Sequence, residues 1–504
     1  MADFENALPP AGPAKHTPSA PKTLEIDRRD RCLLPAVLLW CFLSVDTILW
    51  SWPHGMGVTA VVFGWYVLLG AALGPAVFHS AESRVLLGSS LLLAVSFALA
   101  SNPFLRLWNF LILLMLLPLH ALSFAGARIP WQRPAMLWER LLLLLLGLFG
   151  RLGAAFAALL PARRRQDPGR LLAAALGTAG TLVLLGILVP VLVSADALFA
   201  AATVQFRTLI RTHFTAALWK LTAAAVMTPF VFGLLHSLRR PDPLSRGMKP
   251  LPAVDGLGFL LMLAALDGLY LLFLAVQSAG LFGGAEYLAR RGISYARWAR
   301  SGFFQMVGVT VVNLGVLLAG LTFSRRTGRI FSALRALSGG LILESLVLLI
   351  SAAWRMYLYI CAYGLSFKRL VTFWGMGLMA LLFGVAARKI RRPDRGFFRL
   401  AAPIALAGWL ILNCIPVDCL VAKDQVDRYL AGKSASIDVE YLLYDLSYDT
   451  LAQLERLDGG QVCERWPGDT VPLQMLIAER RAQARDVCGD WRSWNLSACL
   501  AAGR

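Results

Sequence analysis

Apolar residues run in long stretches along this chain, separated by short basic loops, and the stretches are too long for the core of a soluble domain. The hydrocarbon of a bilayer is about 30 Å thick and takes about 20 apolar residues as an α-helix. Runs of that kind start near Leu33, Gly57, Val85, Phe104, Leu171, Ala216, Gly256, Phe303, Gly339, Leu370 and Leu400, which predicts about eleven crossings. The fold expected is all-α, a polytopic bundle of membrane helices. Ahead of the runs, 1–31 is polar, carries Pro9, Pro10, Pro13, Pro18 and Pro21, and has no apolar segment followed by a small-residue cleavage site. That predicts a disordered cytoplasmic tail with no cleaved signal peptide.

After Asp418 the pattern changes. Val426, Tyr429 and Leu430, then Val439, Leu442 and Leu443, then Leu451, Leu454 and Leu457 recur at helical spacing, interrupted by Gly432 and Gly459-Gly460. A small soluble helical domain over 417–504 is expected. The rest divides into a four-span region (32–123), a loop with an interfacial helix (124–170) and a seven-span core (171–416). The stretch Leu141 to Leu160 is apolar enough to span, but Arg151 would then sit near the bilayer centre and every later basic cluster would turn outward. An interfacial amphipathic helix is the better reading. The same reasoning places Ala197 to Thr215, with Arg207 and Arg211, at the outer interface.

Composition agrees with a membrane class: 58% of residues are hydrophobic, 16% are charged and the mean hydropathy is +0.62, a balance no ordinary soluble domain needs. The formal charge of +19 would suggest nucleic acid on a soluble protein. Here the basic residues form short clusters between apolar runs instead of one face, so no nucleic-acid partner is expected. Short cytoplasmic loops retain Lys and Arg. Arg28, Arg29 and Arg31, then Arg239, Arg240, Arg246 and Lys249, then Arg325, Arg326, Arg329 and Arg335, then Arg388, Lys389, Arg391, Arg392, Arg395 and Arg399 all fall on one side when the N-terminus is inside. The C-terminal domain then lies outside a bacterial cytoplasmic membrane. The loop Gln277 to Gly302 breaks the rule, because it is placed outside yet contains Arg290, Arg291, Arg297 and Arg300. Either it re-enters the membrane or it binds something acidic, with anionic lipid headgroups the simplest candidate.

Ionisable groups inside spans are costly, so Asp46, Asp267, Glu344 and Arg355 stand out. Glu344, Ser351, Arg355, Tyr359 and Tyr363 recur every seven or four residues and line one helix face. Asn313 and Gln305 could face that stripe, and Asp267 lies at a depth from which Arg355 could be reached. Either these groups form a polar conduit for a proton or cation, or they are a buried ion pair that holds helices together. The histidines are dispersed and no catalytic, metal or cofactor motif occurs, so no cofactor is expected. Ala431-Gly432-Lys433-Ser434 resembles the tail of a phosphate loop but reads as a helix C-cap. A disulfide among Cys463, Cys488 and Cys499 would support so small a domain, with one thiol left over.

Three strings carry a resemblance: Tyr295-Ala-Arg-Trp-Ala-Arg-Ser-Gly-Phe-Phe-Gln305, Arg355-Met-Tyr-Leu-Tyr-Ile-Cys-Ala-Tyr-Gly-Leu-Ser366 with Arg369, and Asp490-Trp-Arg-Ser-Trp-Asn495. Together they resemble the bacterial membrane proteins of the domain of unknown function 4173 family, from roughly Leu171 to the end. The resemblance implies no activity. Members of that family often place glutamates where this chain has Arg297 and Ser301, which argues against an acidic catalytic role for the loop. The outer-loop residues Tyr295, Arg297 and Arg300 are therefore expected to bind lipid or a partner. The function expected is sensing or scaffolding in the envelope, without catalysis and with a protein partner for the C-terminal domain; the alternative is a transporter built on Asp267, Glu344 and Arg355.

Overall fold

The computed structural model describes residues 26–50, 53–123, 136–159, 173, 176–181, 183–184, 215–240, 254–281, 303–326, 328–393, 396–466 and 469–503. It opens with α1 (Arg28–Ser44, extended by a π-helical turn, Val45–Leu49), α2 (Met56–Leu73), α3 (Ala81–Leu99) and α4 (Pro103–Leu122). Polar side chains fix where they start. Asp27 and Asp30 form a reciprocal capping box on α1, Ser80 caps α3, and Asn102 caps α4 just ahead of Pro103. Next come α5 (Met136–Gly150), α6 (Gly153–Leu159), α7 (Thr215–Arg239), α8 (Leu257–Leu281), α9 (Phe303–Phe323), α10 (Gly328–Tyr363), α11 (Phe367–Arg391) and α12 (Phe398–Cys414).

The mostly helical, polytopic architecture is the one the sequence predicts. Among the described residues nine helices are long and apolar enough to cross a membrane, or ten if a bent pair counts as one. Of the eleven runs, the one starting near Leu171 lies largely outside the described residues. The one starting near Phe303 is a shorter apolar helix, and the one near Leu400 belongs to the bent pair. Leu141–Leu159, assigned to the interface by charge, is itself long and apolar enough to span. It is broken at Arg151-Leu152 into α5 and α6, and the Arg151 carbonyl packs where Gly233 of α7 leaves room. The segment Ala197 to Thr215 lies outside the described residues except for its last residue, the first of α7.

Two large apolar cores fill the bundle, beside a small cluster of Leu349, Ala352, Met356 and Met376 between α10 and α11. One joins α1 to α4 with α6 and α7 around Leu69, Phe97 and Phe232; the other joins α8 to α12 around Leu263, Leu317, Leu334 and Phe383. The chain then turns by 51° at Ile415-Pro416 into α13 (Val417–Leu430), because proline has no N–H to continue the ladder. The remainder forms a cap with its own core, in which Val421, Val426, Leu443, Leu454 and Leu473 are fully or almost fully buried. The cap is not purely helical. An antiparallel hairpin, β1 (Val462–Trp466) with β2 (Asp469–Pro472), precedes α14 (Leu473–Gly489) and α15 (Leu496–Ala502). Val462, Thr470 and Val471 suit a pleated pair, but strands of four or five residues are too short to show an alternating pattern.

All described links that meet the cap lie at one end of the bundle. The Gly55 N–H donates to the Arg492 carbonyl, Asn102 meets Asp418, and the Leu365 N–H donates to Asp424. At the far end, Asp27 and Asp30 at the start of α1 pair with Arg239 and Arg240 at the end of α7. There too, Val254 before α8 bridges Ser324 after α9.

Candidate functional site

Two polar constellations stand out in the folded chain. The first is buried between α8, α9 and α10. Asp267 and Tyr270 share one face of α8, three residues apart. The Tyr270 hydroxyl donates to Asn313 Oδ1 at 2.8 Å, and Asn313 Nδ2 donates to Ser345 Oγ of α10 at 2.9 Å. Asn313 and Ser345 are wholly buried, so these bonds satisfy groups that would otherwise cost stability. Asp267 enters because Gly340 has no side chain: a Cβ there would lie 3.3 Å from Asp267 Oδ2. Glu344 follows one turn later and lies within electrostatic reach of Asp267. Both residues are more than nine-tenths buried. Among the described residues, Asp267 Oδ1 and Glu344 Oε2 have no hydrogen-bond partner.

Arg355 is not at this site, and the pairing with Asp267 expected from sequence does not form. Asp267 sits against Gly340, and Arg355 follows fifteen residues later on the same unbroken helix, about 22 Å away at 1.5 Å per residue. The predicted stripe therefore divides. Glu344, Ser351 and Arg355 are buried, whereas Tyr359 belongs to a second group at the cap end. There the Arg369 guanidinium lies 4.1 Å from the centre of the Tyr359 ring, with Tyr363 edge-on to it. Tyr295, Arg297 and Arg300 lie outside the described residues, as does the side chain of Gln305. Two buried carboxyls with no ion pair to a cation among the described residues provide acceptor oxygens for a proton or a metal cation, since an uncompensated charge there costs several kcal/mol or more. Among the described residues no three of His, Cys, Asp and Glu converge.

The second constellation fastens the cap. Asp46, at the end of α1, takes Lys220 Nζ of α7 at 2.5 Å and Arg492 Nη1 at 3.1 Å. Arg492 also forks onto Asp490, with Nε 3.0 Å from both oxygens and Nη2 at 2.9 Å. The guanidinium holds Asp490 below the usual carboxylate range and is itself held more firmly protonated. The backbone completes the clamp. The Gly55 and Gly57 N–H groups both donate to the Arg492 carbonyl at 3.0 Å, and the Met56 N–H donates to the Trp494 carbonyl at 2.9 Å. A Cβ at Gly55 would lie 2.2 Å from the Ser493 carbonyl oxygen, so only glycine fits. Cys488 and Cys499 are bonded across this turn, leaving Cys463 as a buried free thiol.

A second tie lies at Asp418, whose oxygens accept from Asn102 Nδ2 at 2.7 and 2.8 Å and from the Ser447 N–H at 2.9 Å. Burial pushes this carboxyl up, and the bonds from Asn102 and Ser447 oppose that. Close by, Ser101 Oγ meets Ser497 Oγ at 3.0 Å and accepts from the Tyr448 N–H at 3.1 Å. Of these residues, sequence reasoning flagged Asp46 as an ion in a span and Arg492 only within a familiar string. Lys220, four residues into the apolar run that starts near Ala216, is the signal in the sequence that points to this site.

A multi-pass helical membrane protein with a capped end is the class these features define. The family described as Domain of unknown function (DUF4153) matches residues 87–457, well over half of the chain, and the chain belongs to that family. This corrects the resemblance to the 4173 family. Short strings of Arg, Trp and Tyr recur wherever helices meet an interface and cannot separate families of one architecture, whereas a match over hundreds of positions can. It also moves the family region: it begins within α3 and stops before the β hairpin, so Asp490 to Asn495 lies beyond it. No curated protein and no solved structure matches the chain.

Proposed function

We propose that the protein senses or scaffolds in the bacterial cytoplasmic membrane without catalysing a reaction, with the N-terminus inside and the cap outside. The observation that carries this reading is the clamp of Asp46 on Lys220 and Arg492. It couples the cap to α1 and α7, while Asn102 and Asp424 couple it to α4 and to the α10–α11 link. A ligand or protein seated on the cap would therefore pull on helices from both apolar cores. The orientation is supported by the far end, where Arg239, Arg240, Arg325, Arg326, Arg388, Lys389, Arg391 and Arg392 gather as an inside face would.

Complementation tests this. In a strain lacking the gene, a chain ending at Cys414 should insert at normal level and fail to restore the deletion phenotype, as should Arg492→Glu in the full chain. Rescue by both would sink the reading.

A second reading rests on a separate observation, the Asp267 and Glu344 oxygens that have no hydrogen-bond partner among the described residues. These support a proton- or cation-coupled transporter. In proteoliposomes carrying a pH gradient, flux abolished by Asp267→Asn and by Glu344→Gln, but unaffected by cap variants, would replace the first reading with this one.

A further inference from the structure

At the far end, α11 and α12 enclose a cavity of about 480 Å³ lined by Arg388, Lys389 and Arg399 together with Val385, Phe397 and Leu400. Lys389 is buried, with 6% of its surface exposed, which is unusual for a lysine in a loop-proximal turn. Arg399 also lines a second and larger space, an open groove of about 860 Å³ between α3, α4, α11 and α12. Leu86, Met115, Leu119, Leu378, Leu406 and Trp409 form its apolar walls. Among its described lining residues the one carboxylate, Glu82, lies in the first turn of α3 and so at the same end as Arg399.

The two spaces therefore adjoin at Arg399 and have opposite chemistry. One is compact and cationic at the level where the helices leave the bilayer. The other is apolar and runs along the helices. From Arg399 to Trp409 the groove follows ten residues of α12, about 15 Å at 1.5 Å per residue, which is half of a hydrocarbon layer about 30 Å thick. A soluble anion would use only the cationic cavity, and a neutral lipid only the groove. A molecule with an anionic head and acyl chains one leaflet long uses both.

We infer that α3, α4, α11 and α12 bind an anionic phospholipid, its phosphate held by Arg388, Lys389 and Arg399 and its acyl chains lying in the groove beside Leu378, Leu406 and Trp409. The site lies at the opposite end of the bundle from the clamp and shares no lining residue with the Asp267 constellation, so it is argued independently of both functional readings. It would tie the family region to the lipid composition of the leaflet at the basic end of the bundle.

The test uses the full chain in a neutral detergent, with phosphatidylglycerol, phosphatidylcholine and inorganic phosphate as separate probes. Native mass spectrometry and thermal melting read the result. Phosphatidylglycerol should remain bound and raise Tm, whereas phosphatidylcholine and phosphate should do neither. Arg388→Gln with Arg399→Gln should weaken phosphatidylglycerol binding about tenfold or more, as loss of two cations at a headgroup predicts. Leu406→Trp narrows the groove with the cations intact and should have a comparable effect, which keeps the test open if the arginine variant fails to fold. Equal binding of phosphatidylcholine, a full effect from phosphate alone, or wild-type binding by the groove variant would each overturn the proposal.

Discussion

Gly55 shows how much one atom can decide. It ends the link between α1 and α2 where the Ser493 carbonyl comes closest, and a methyl group has nowhere to go. Gly55→Ala should lower the melting temperature and raise hydrogen exchange across Asp490 to Ala502 before it affects the helices of the bundle. Unchanged protection in that segment would show that the clamp does not hold the cap. Two carboxyls make opposite contributions with pH. Asp490 is held below its ordinary value of 3.8, so the stability it lends is present at neutral pH and lost as pH falls below about 3.8 toward the lowered value. Asp418 is pushed above 3.8 by burial, so its contribution is fully present below that value and lost as pH rises through the raised one. Asp490→Asn should therefore remove part of the acid loss of cap stability, and Asp418→Asn part of the decline toward neutral pH, each read as Tm against pH. If the two variants changed the profile in the same sense, the assignment would fail.

Among the elements, α10 and the turn of the clamp carry the sharpest expectations. α10 has 36 residues, about 54 Å at 1.5 Å per residue, so it must tilt in or emerge from a hydrocarbon layer of about 30 Å. It stops at Gly364, whose φ of +76° is the left-handed conformation that ends helices and that other L-residues resist. The same glycine lies under Asp424 and Arg428 of α13, where a Cβ would come 2.9 Å from Asp424 Oδ2 and 3.0 Å from Arg428 Cδ and would push those side chains aside. Gly364→Ala should cost about 1–2 kcal/mol from backbone strain alone, measured by denaturation in detergent, and more as the cap contact is displaced. The disulfide Cys488–Cys499 closes a loop whose interior is the clamp. Cys499→Ser should cost roughly 2–4 kcal/mol and loosen the cap. Reduction of the wild type should match it, and a wild type whose stability reductant leaves unchanged would contradict that role.

The whole molecule has two faces set by its ends, and its orientation follows from labelling. With the free cysteines replaced, Ser434→Cys on the exposed cap should react with an impermeant thiol reagent in intact cells, while His79→Cys at the far end should react only after lysis. The reverse result would invert the orientation.

The sequence by itself determined the class and most of the helices, because a helix in lipid must be apolar over about 20 residues and satisfy its own backbone, and both demands are local. It also determined several helix starts, since Asp27, Ser80 and Asn102 cap helices within their own turn. Only the tertiary structure decided who meets whom. Asp46 finds Lys220 and Arg492 across 174 and 446 residues, and Asp267 meets Gly340 and Glu344 in place of the Arg355 that composition offered as its partner. A helix bathed in lipid is apolar on every side, so no amphipathic face declares which neighbour it will pack against. That choice is made by small residues and isolated polar groups, whose partners become visible only once the helices are assembled.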